Sequence, residues 1–176
     1  RQIEAEGTFV NCEFYTNNAR ILNIQYMLGC TIDSNSYEIT SLDTGFIKIR
    51  NNKFLNQHST TMKITLKTNG ELSDNYYKLS TTATYTYVTI DGTVNTKFVK
   101  LKDNFQENNT KTPSGFRFGG TSTYTVLSEG NICNGTGYDF AFVDTNVLVT
   151  VKSKDDIFSG TKSTDARVVR ATTNYV

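Results

Sequence analysis

Three short segments decide the reading of this chain: Phe9-Val10-Asn11-Cys12-Glu13-Phe14, Met27-Leu28-Gly29-Cys30-Thr31-Ile32 and Ile49-Arg50-Asn51-Asn52-Lys53-Phe54. Aligned, they form three columns. Phe9, Met27 and Ile49 are apolar, Cys12, Cys30 and Asn52 are small, and Phe14, Ile32 and Phe54 are apolar again. The steps are 18 and 22 residues. A repeat near this length, made of short strands and turns, points to a solenoid in which each coil buries its face on the next. Helical spacing of apolar residues does not dominate. The columns predict three coils of a right-handed parallel β-helix over residues 1–60. Asn51-Asn52 at a corner suits such coils, because stacked amides can bond one another and Asn tolerates left-handed backbone.

The surrounding composition agrees with an all-β protein. The chain has 176 residues, 37% hydrophobic and 20% charged, with ten Tyr, eleven Phe and a single Pro. Tyr, Phe, Val and Thr favour pleated, half-buried surfaces. A net charge of +1 gives no basic face for nucleic acid or acidic lipid. No apolar run is long enough to insert in a membrane. The chain starts at Arg1 without Met or a leader, so it is expected to be a processed product or an excised fragment.

From Thr61 the pattern changes. Met62-Lys63-Ile64-Thr65-Leu66-Lys67 alternates apolar and polar, and Asn69-Gly70 and Asp91-Gly92 are hairpin signals. About eight strands separated by turns follow, through Ala166 to Ala171. Such spacing predicts an antiparallel β-sandwich or jelly roll over residues 61–176, with the domain boundary near residue 60.

Short coils at Asn11-Cys12-Glu13-Phe14, Gly29-Cys30-Thr31-Ile32 and Ile49-Arg50-Asn51-Asn52-Lys53-Phe54, followed by an all-β part, resemble the receptor-facing end of trimeric phage tailspikes and preneck appendages. The coil pattern covers about a third of the chain. The resemblance implies a homotrimer at the virion tail or otherwise extracellular, binding of host surface polysaccharide, and in some members glycan cleavage. Residues 61–176 carry no family motif.

Candidate chemistry is sparse. Glycan cleavage needs two carboxylates a few ångströms apart, and the coils offer Glu13, Asp33, Glu38 and Asp43 without an evident pair. Glu13 aligns with Thr31 and Lys53 in a column that should face outward. His58 is the only histidine and lies in a polar segment. No G-x-S-x-G elbow or phosphate loop occurs, and no metal or cofactor is expected. The odd count of three cysteines leaves a thiol free; Cys12 and Cys30 share a column, where they could stack, bond or simply pack as small apolar groups. Asn108-Asn109-Thr110 and Asn134-Gly135-Thr136 match the glycosylation pattern at a frequency that chance explains.

Tyrosines carry the better hint, since their rings stack on sugars and their hydroxyls hydrogen-bond. Tyr76, Tyr77, Tyr85, Tyr87 and Tyr124 lie on or near Thr-rich strands. Tyr85, Tyr87 and Tyr124 are the candidate carbohydrate-binding residues, against the alternative that they line the core or a subunit interface. Three functions stay open: a glycan-binding tail appendage, the end of a polysaccharide hydrolase or lyase, or a structural cap that locks a trimer.

Overall fold

A computed structural model describes residues 2–56, 61–79, 87–108, 115–134, 138–143 and 148–170. All described regular structure is β. The strands form a parallel β-solenoid with two sheets. The smaller sheet stacks eight strands in chain order: Phe9–Val10, Tyr26–Leu28, Ile47–Arg50, Gly70–Ser73, Phe98–Lys102, Tyr124–Glu129, Val149–Lys154 and Val168–Arg170. The larger, twelve-stranded sheet is forked. Its long strands Glu13–Ile24 and Thr31–Ser41 serve both arms. In later coils the arms are separate strands: Lys53–Asn56 pairs with the first half of Thr31–Ser41 and Thr61–Leu66 with the second.

The three columns read from the sequence are present. Phe9, Met27 and Ile49 are direct partners in one sheet, and Phe14, Ile32 and Phe54 in the other. Both continue. The second column runs on through Tyr77, Gln106, Cys133 and Phe158. Its members face the interior, where Phe54 and Tyr77 stack at 5.0 Å with rings 6° from parallel. Each buried aromatic or aliphatic side chain of this kind contributes about 1.5–3 kcal/mol relative to exposure.

The corner between the sheets is built from a repeated pair of residues. The first of each pair has left-handed backbone: Asn11, Gly29, Asn51, Asp74, Asp103, Gly130 and Asp155, with φ between 51° and 67°. Asn, Asp and Gly are the residues that enter this region at least cost. The second residue turns inward and forms a ladder along the axis. Asn52 Nδ2 donates to Met27 O at 2.8 Å and to Asn75 Oδ1 at 3.0 Å, while Asn52 Oδ1 accepts from Cys30 N at 2.8 Å. Asn75, Asn104 and Asn131 repeat the arrangement. The ladder ends on Asp156, whose Oδ1 accepts from Asn131 N at 2.8 Å and Asn131 Nδ2 at 2.9 Å. Successive rungs are 18, 22, 23, 29, 27 and 25 residues apart.

Among the described residues after residue 60 there is no antiparallel sandwich, contrary to expectation. Every described ladder in that region is parallel, and the ladders run across the expected boundary: Ile47–Arg50 pairs with Gly70–Ser73, and Lys53–Leu55 with Tyr76–Lys78. Alternation with period two is the same for a solenoid strand and a sandwich strand, so it could not tell them apart. The hairpin signals have other physical roles. Asn69 Oδ1 accepts the N–H groups of Lys97 and Phe98 from the next coil, at 2.8 and 2.9 Å. Gly92 makes room for a ring: a Cβ there would lie 2.6 Å from Tyr124 Cε1.

Outward faces are charged and cross-linked between coils. Arg20 pairs with Glu38 at 3.2 Å, Lys63 with Asp91 at 2.8 Å and Lys100 with Glu71 at 3.9 Å. Exposed pairs such as Arg20–Glu38 contribute little, about 0–1 kcal/mol each; they keep the sheet faces solvated and in register.

Candidate functional site

Of the tyrosines singled out from sequence, Tyr76, Tyr77 and Tyr124 have described side chains. Tyr124 is buried, 2% exposed, with its hydroxyl 2.9 Å from Gly119 O and 3.1 Å from Ile90 O. Burial pushes its hydroxyl pKa up, and the ring lies inside the coil, where a sugar could not stack on it. Alternation with Val126 and the small Gly92 opposite account for that inward direction. Tyr87 pairs through its backbone with Thr61; its side chain, and all of Tyr85, lie outside the described residues. Tyr77 is fully buried. Tyr76 is half-buried on the outer face, parallel to Phe105 at 5.9 Å, and donates its hydroxyl hydrogen to the Glu107 carboxylate. That bond holds the phenol pKa up at about 12.

Of the carboxylates of the first coils, Glu13 and Asp33 both lie near Tyr15, and the other two are held in ion pairs. Glu38 is tied to Arg20 and Asp43 to Lys67. Glu13 faces outward in register with Thr31 and Lys53, as expected, and accepts from the Tyr15 hydroxyl at 3.3 Å. The charge of that neighbouring carboxylate raises the Tyr15 pKa. His58 lies outside the described residues. Among the described residues no group of three or more His, Cys, Asp or Glu is arranged to hold a metal, and no helix is long and apolar enough to cross a membrane.

A built cleft occurs instead at the C-terminal end of the solenoid. It is shallow and open, with a volume of about 440 Å³, and is lined by Tyr138, Phe140, Ala141, Phe142, Ser163, Thr164, Asp165 and Arg167. This volume is within the usual range for small-molecule sites. Its floor is the strand Phe140–Phe142, and its wall is the segment of residues 161–167. One buried side chain joins the two. Asp139 Oδ1 accepts the N–H groups of Phe140 and Ser163, both at 2.7 Å, and Asp139 Oδ2 accepts from Arg170 Nη2. The backbone supports this clamp: Phe116 N donates to Asp139 O at 3.0 Å, and Asp139 N to Thr161 O at 3.1 Å. Gly115 is required for that approach, because a Cβ there would stand 1.7 Å from Asp139 O.

Inside the cleft Arg167 is held on two sides. Its Nε and Nη2 donate to the two Asp165 oxygens at 2.8 and 2.6 Å, and its guanidinium carbon lies 3.7 Å from the Phe142 ring centroid. The bonds from Arg167 pull the Asp165 pKa down to about 2. Asp165 therefore stays ionised at neutral pH with both oxygens committed, so it is poorly suited to giving or taking a proton. It is the one carboxylate among the described lining residues. The arrangement can bind: Tyr138, 52% exposed, offers a ring, Ser163 and Thr164 offer hydroxyls, and the fixed Asp165–Arg167 pair offers a rigid polar wall.

Sequence reasoning missed this cleft. Asp165-Ala166-Arg167 is a local signal for an aspartate turn closed by a salt bridge, yet nothing in the spacing links it to Tyr138 or Asp139. Comparison with protein-family models, with curated proteins and with solved structures finds no match.

Proposed function

We propose that this chain is part of a trimeric phage tail appendage that attaches the virion to host surface glycan, with the C-terminal cleft as a saccharide contact. What supports the reading is a parallel solenoid, of the kind such appendages use, carrying a cleft lined by groups suited to binding a sugar. A right-handed winding is the hand expected of parallel crossovers within one sheet. The single observation that carries the binding role is the half-exposed Tyr138 beside hydroxyls and a locked Asp165–Arg167 pair. Rigid aromatic and bidentate polar groups bind sugars with little ordering cost.

The test is binding of the chain to a panel of bacterial surface polysaccharides, followed by titration of any that bind. Tyr138→Ala should weaken binding at least about tenfold, as expected for losing an aromatic worth ~1.4 kcal/mol or more, with an unchanged thermal midpoint. Binding that survives both Tyr138→Ala and Arg167→Ala would reject the cleft.

A second reading, a trimer-locking cap, has its own observation. Val143, Leu148, Ile157 and Val169 are 42%, 65%, 62% and 49% exposed on the last coils. Exposed apolar groups of this kind suit a subunit interface. Light scattering separates the cases: a monomer of 19.7 kDa at micromolar concentration removes the trimer from both readings.

A further inference from the structure

Where the corner ladder leaves the asparagines, two thiols take over. Cys12 and Cys30 occupy the first two rungs, 18 residues apart in sequence, and the Cys12 N–H donates to Cys30 Sγ at 3.5 Å. The backbone fixes their relation from both sides. Val10 is paired with Leu28, Glu13 is paired with Thr31, and Thr31 N donates to Cys12 O at 2.9 Å. Both thiols donate to the carbonyl two residues back, Cys12 Sγ to Val10 O at 3.4 Å and Cys30 Sγ to Leu28 O at 3.5 Å. The side chains therefore leave equivalent corner positions, each just before a paired strand of neighbouring coils, on the same side. Neighbouring strands are about 4.7–4.9 Å apart, inside the roughly 4.4–6.8 Å separation of Cα atoms that a disulfide spans. Cys12 is half-buried and Cys30 is buried, so a reagent reaches the first and not the second. Cys133 is buried in the core of a later coil, behind Gln106 and Phe158 in its own column.

We infer that Cys12 and Cys30 are a modification site: the folded chain closes an inter-coil disulfide between them on meeting a low-molecular-weight disulfide such as oxidised glutathione. Cys12 loses its proton and its thiolate attacks one sulfur of the reagent, so the reagent's S–S bond breaks and one glutathione thiolate leaves. Cys30 then loses its proton and attacks the Cys12 sulfur, expelling the second glutathione thiolate. The two protons released end on the two glutathione thiols. The protein dithiol is oxidised by two electrons and the reagent is reduced by two. Burial pushes the Cys30 thiol pKa up, so the closing step quickens as pH rises. The product replaces the weakest contact of the corner ladder with a covalent rung, closing the first coil onto the second.

The experiment treats the intact, folded chain with oxidised glutathione and follows thiol count, intact mass and peptide mapping. Free thiols should fall from three to one, the mass should drop by two hydrogen atoms, and the map should join Cys12 to Cys30 with Cys133 free. The thermal midpoint should rise by roughly 5–10 °C and return on adding a reductant. In Cys30→Ser the reaction should stop at the glutathione adduct on Cys12. Three thiols retained, a bridge that includes Cys133, a bridge between two chains, or closure seen only in denaturant would each overturn the inference.

Discussion

The two ends of the corner ladder differ from its middle, and the difference separates geometry from chemistry. In the middle, Asn52, Asn75, Asn104 and Asn131 each accept at Oδ1 and donate from Nδ2. At the first rungs, Cys12 and Cys30 hold the same backbone geometry with sulfur contacts of 3.4–3.5 Å. At the last, Asp156 holds it with a charge. The preceding residue is left-handed at all three kinds of rung. Backbone shape therefore sets the corner, and the inward side chain sets how strongly consecutive coils are tied.

The sharpest way to break this comparison is to remove a middle amide. Asn104→Leu would strand the Asn75 N–H, one Asn75 Nδ2 hydrogen and the Leu72 carbonyl, all buried. Each orphan costs about 1–3 kcal/mol, so a loss of at least ~3 kcal/mol is expected in chemical denaturation. The matched change Cys30→Ala should cost about 1–2 kcal/mol, because sulfur is a weak acceptor and the remaining loss is packing. Equal losses at both sites would show that amides and thiols tie the coils alike.

A gain is expected next to the ladder. Gln106 is fully buried in the interior column between Tyr77 and Cys133, and neither amide atom has a hydrogen-bond partner among the described residues. Gln106→Leu keeps the volume and removes two unpaired polar groups, so stability should rise by about 1–3 kcal/mol. A fall would show that the amide is bonded within the core.

These rungs also explain what the sequence disclosed. Three coils were legible because their steps are short and close in length, so like residues fell into line by eye. After Asn52 the steps lengthen to 29 residues and vary, and the apolar columns slip out of alignment. The corner pair survives that drift: Asp74-Asn75, Asp103-Asn104, Gly130-Asn131 and Asp155-Asp156 repeat Asn51-Asn52. It was a readable signal, hidden because Asn-Gly and Asp-Gly pairs nearby looked like hairpins. The cleft was not legible, since Asp139 meets Ser163 and Arg170 only after the chain has wound through a further coil. The sequence leaves Tyr124 open between a sugar contact and a core residue, because phenol chemistry suits both a sugar and the pair of core carbonyls that receive it.

The smallest effect concerns the charged end of the ladder, and its sign is informative. Asp156 accepts from Asn131 N, Asn131 Nδ2 and Ser153 Oγ, yet burial outweighs these bonds and raises its pKa above the ordinary 3.8. A carboxyl whose folded pKa lies above its unfolded one binds protons more readily when folded. Its contribution is therefore fully present below the unfolded value and is lost as pH rises through the folded value. At neutral pH the rung carries an ionised group that the fold disfavours. Asp156→Asn supplies the amide found in the middle of the ladder, with Oδ1 still placed to accept from Asn131. Stability at pH 7 should rise, and the variant should lose the part of the wild-type decline that begins just above pH 3.8. Denaturant midpoints measured across that range would show it. A variant less stable than wild type at pH 7 would mean that the charge strengthens the terminal rung through its hydrogen bonds by more than desolvation weakens it, and that the acid end is a stronger tie than the amide middle.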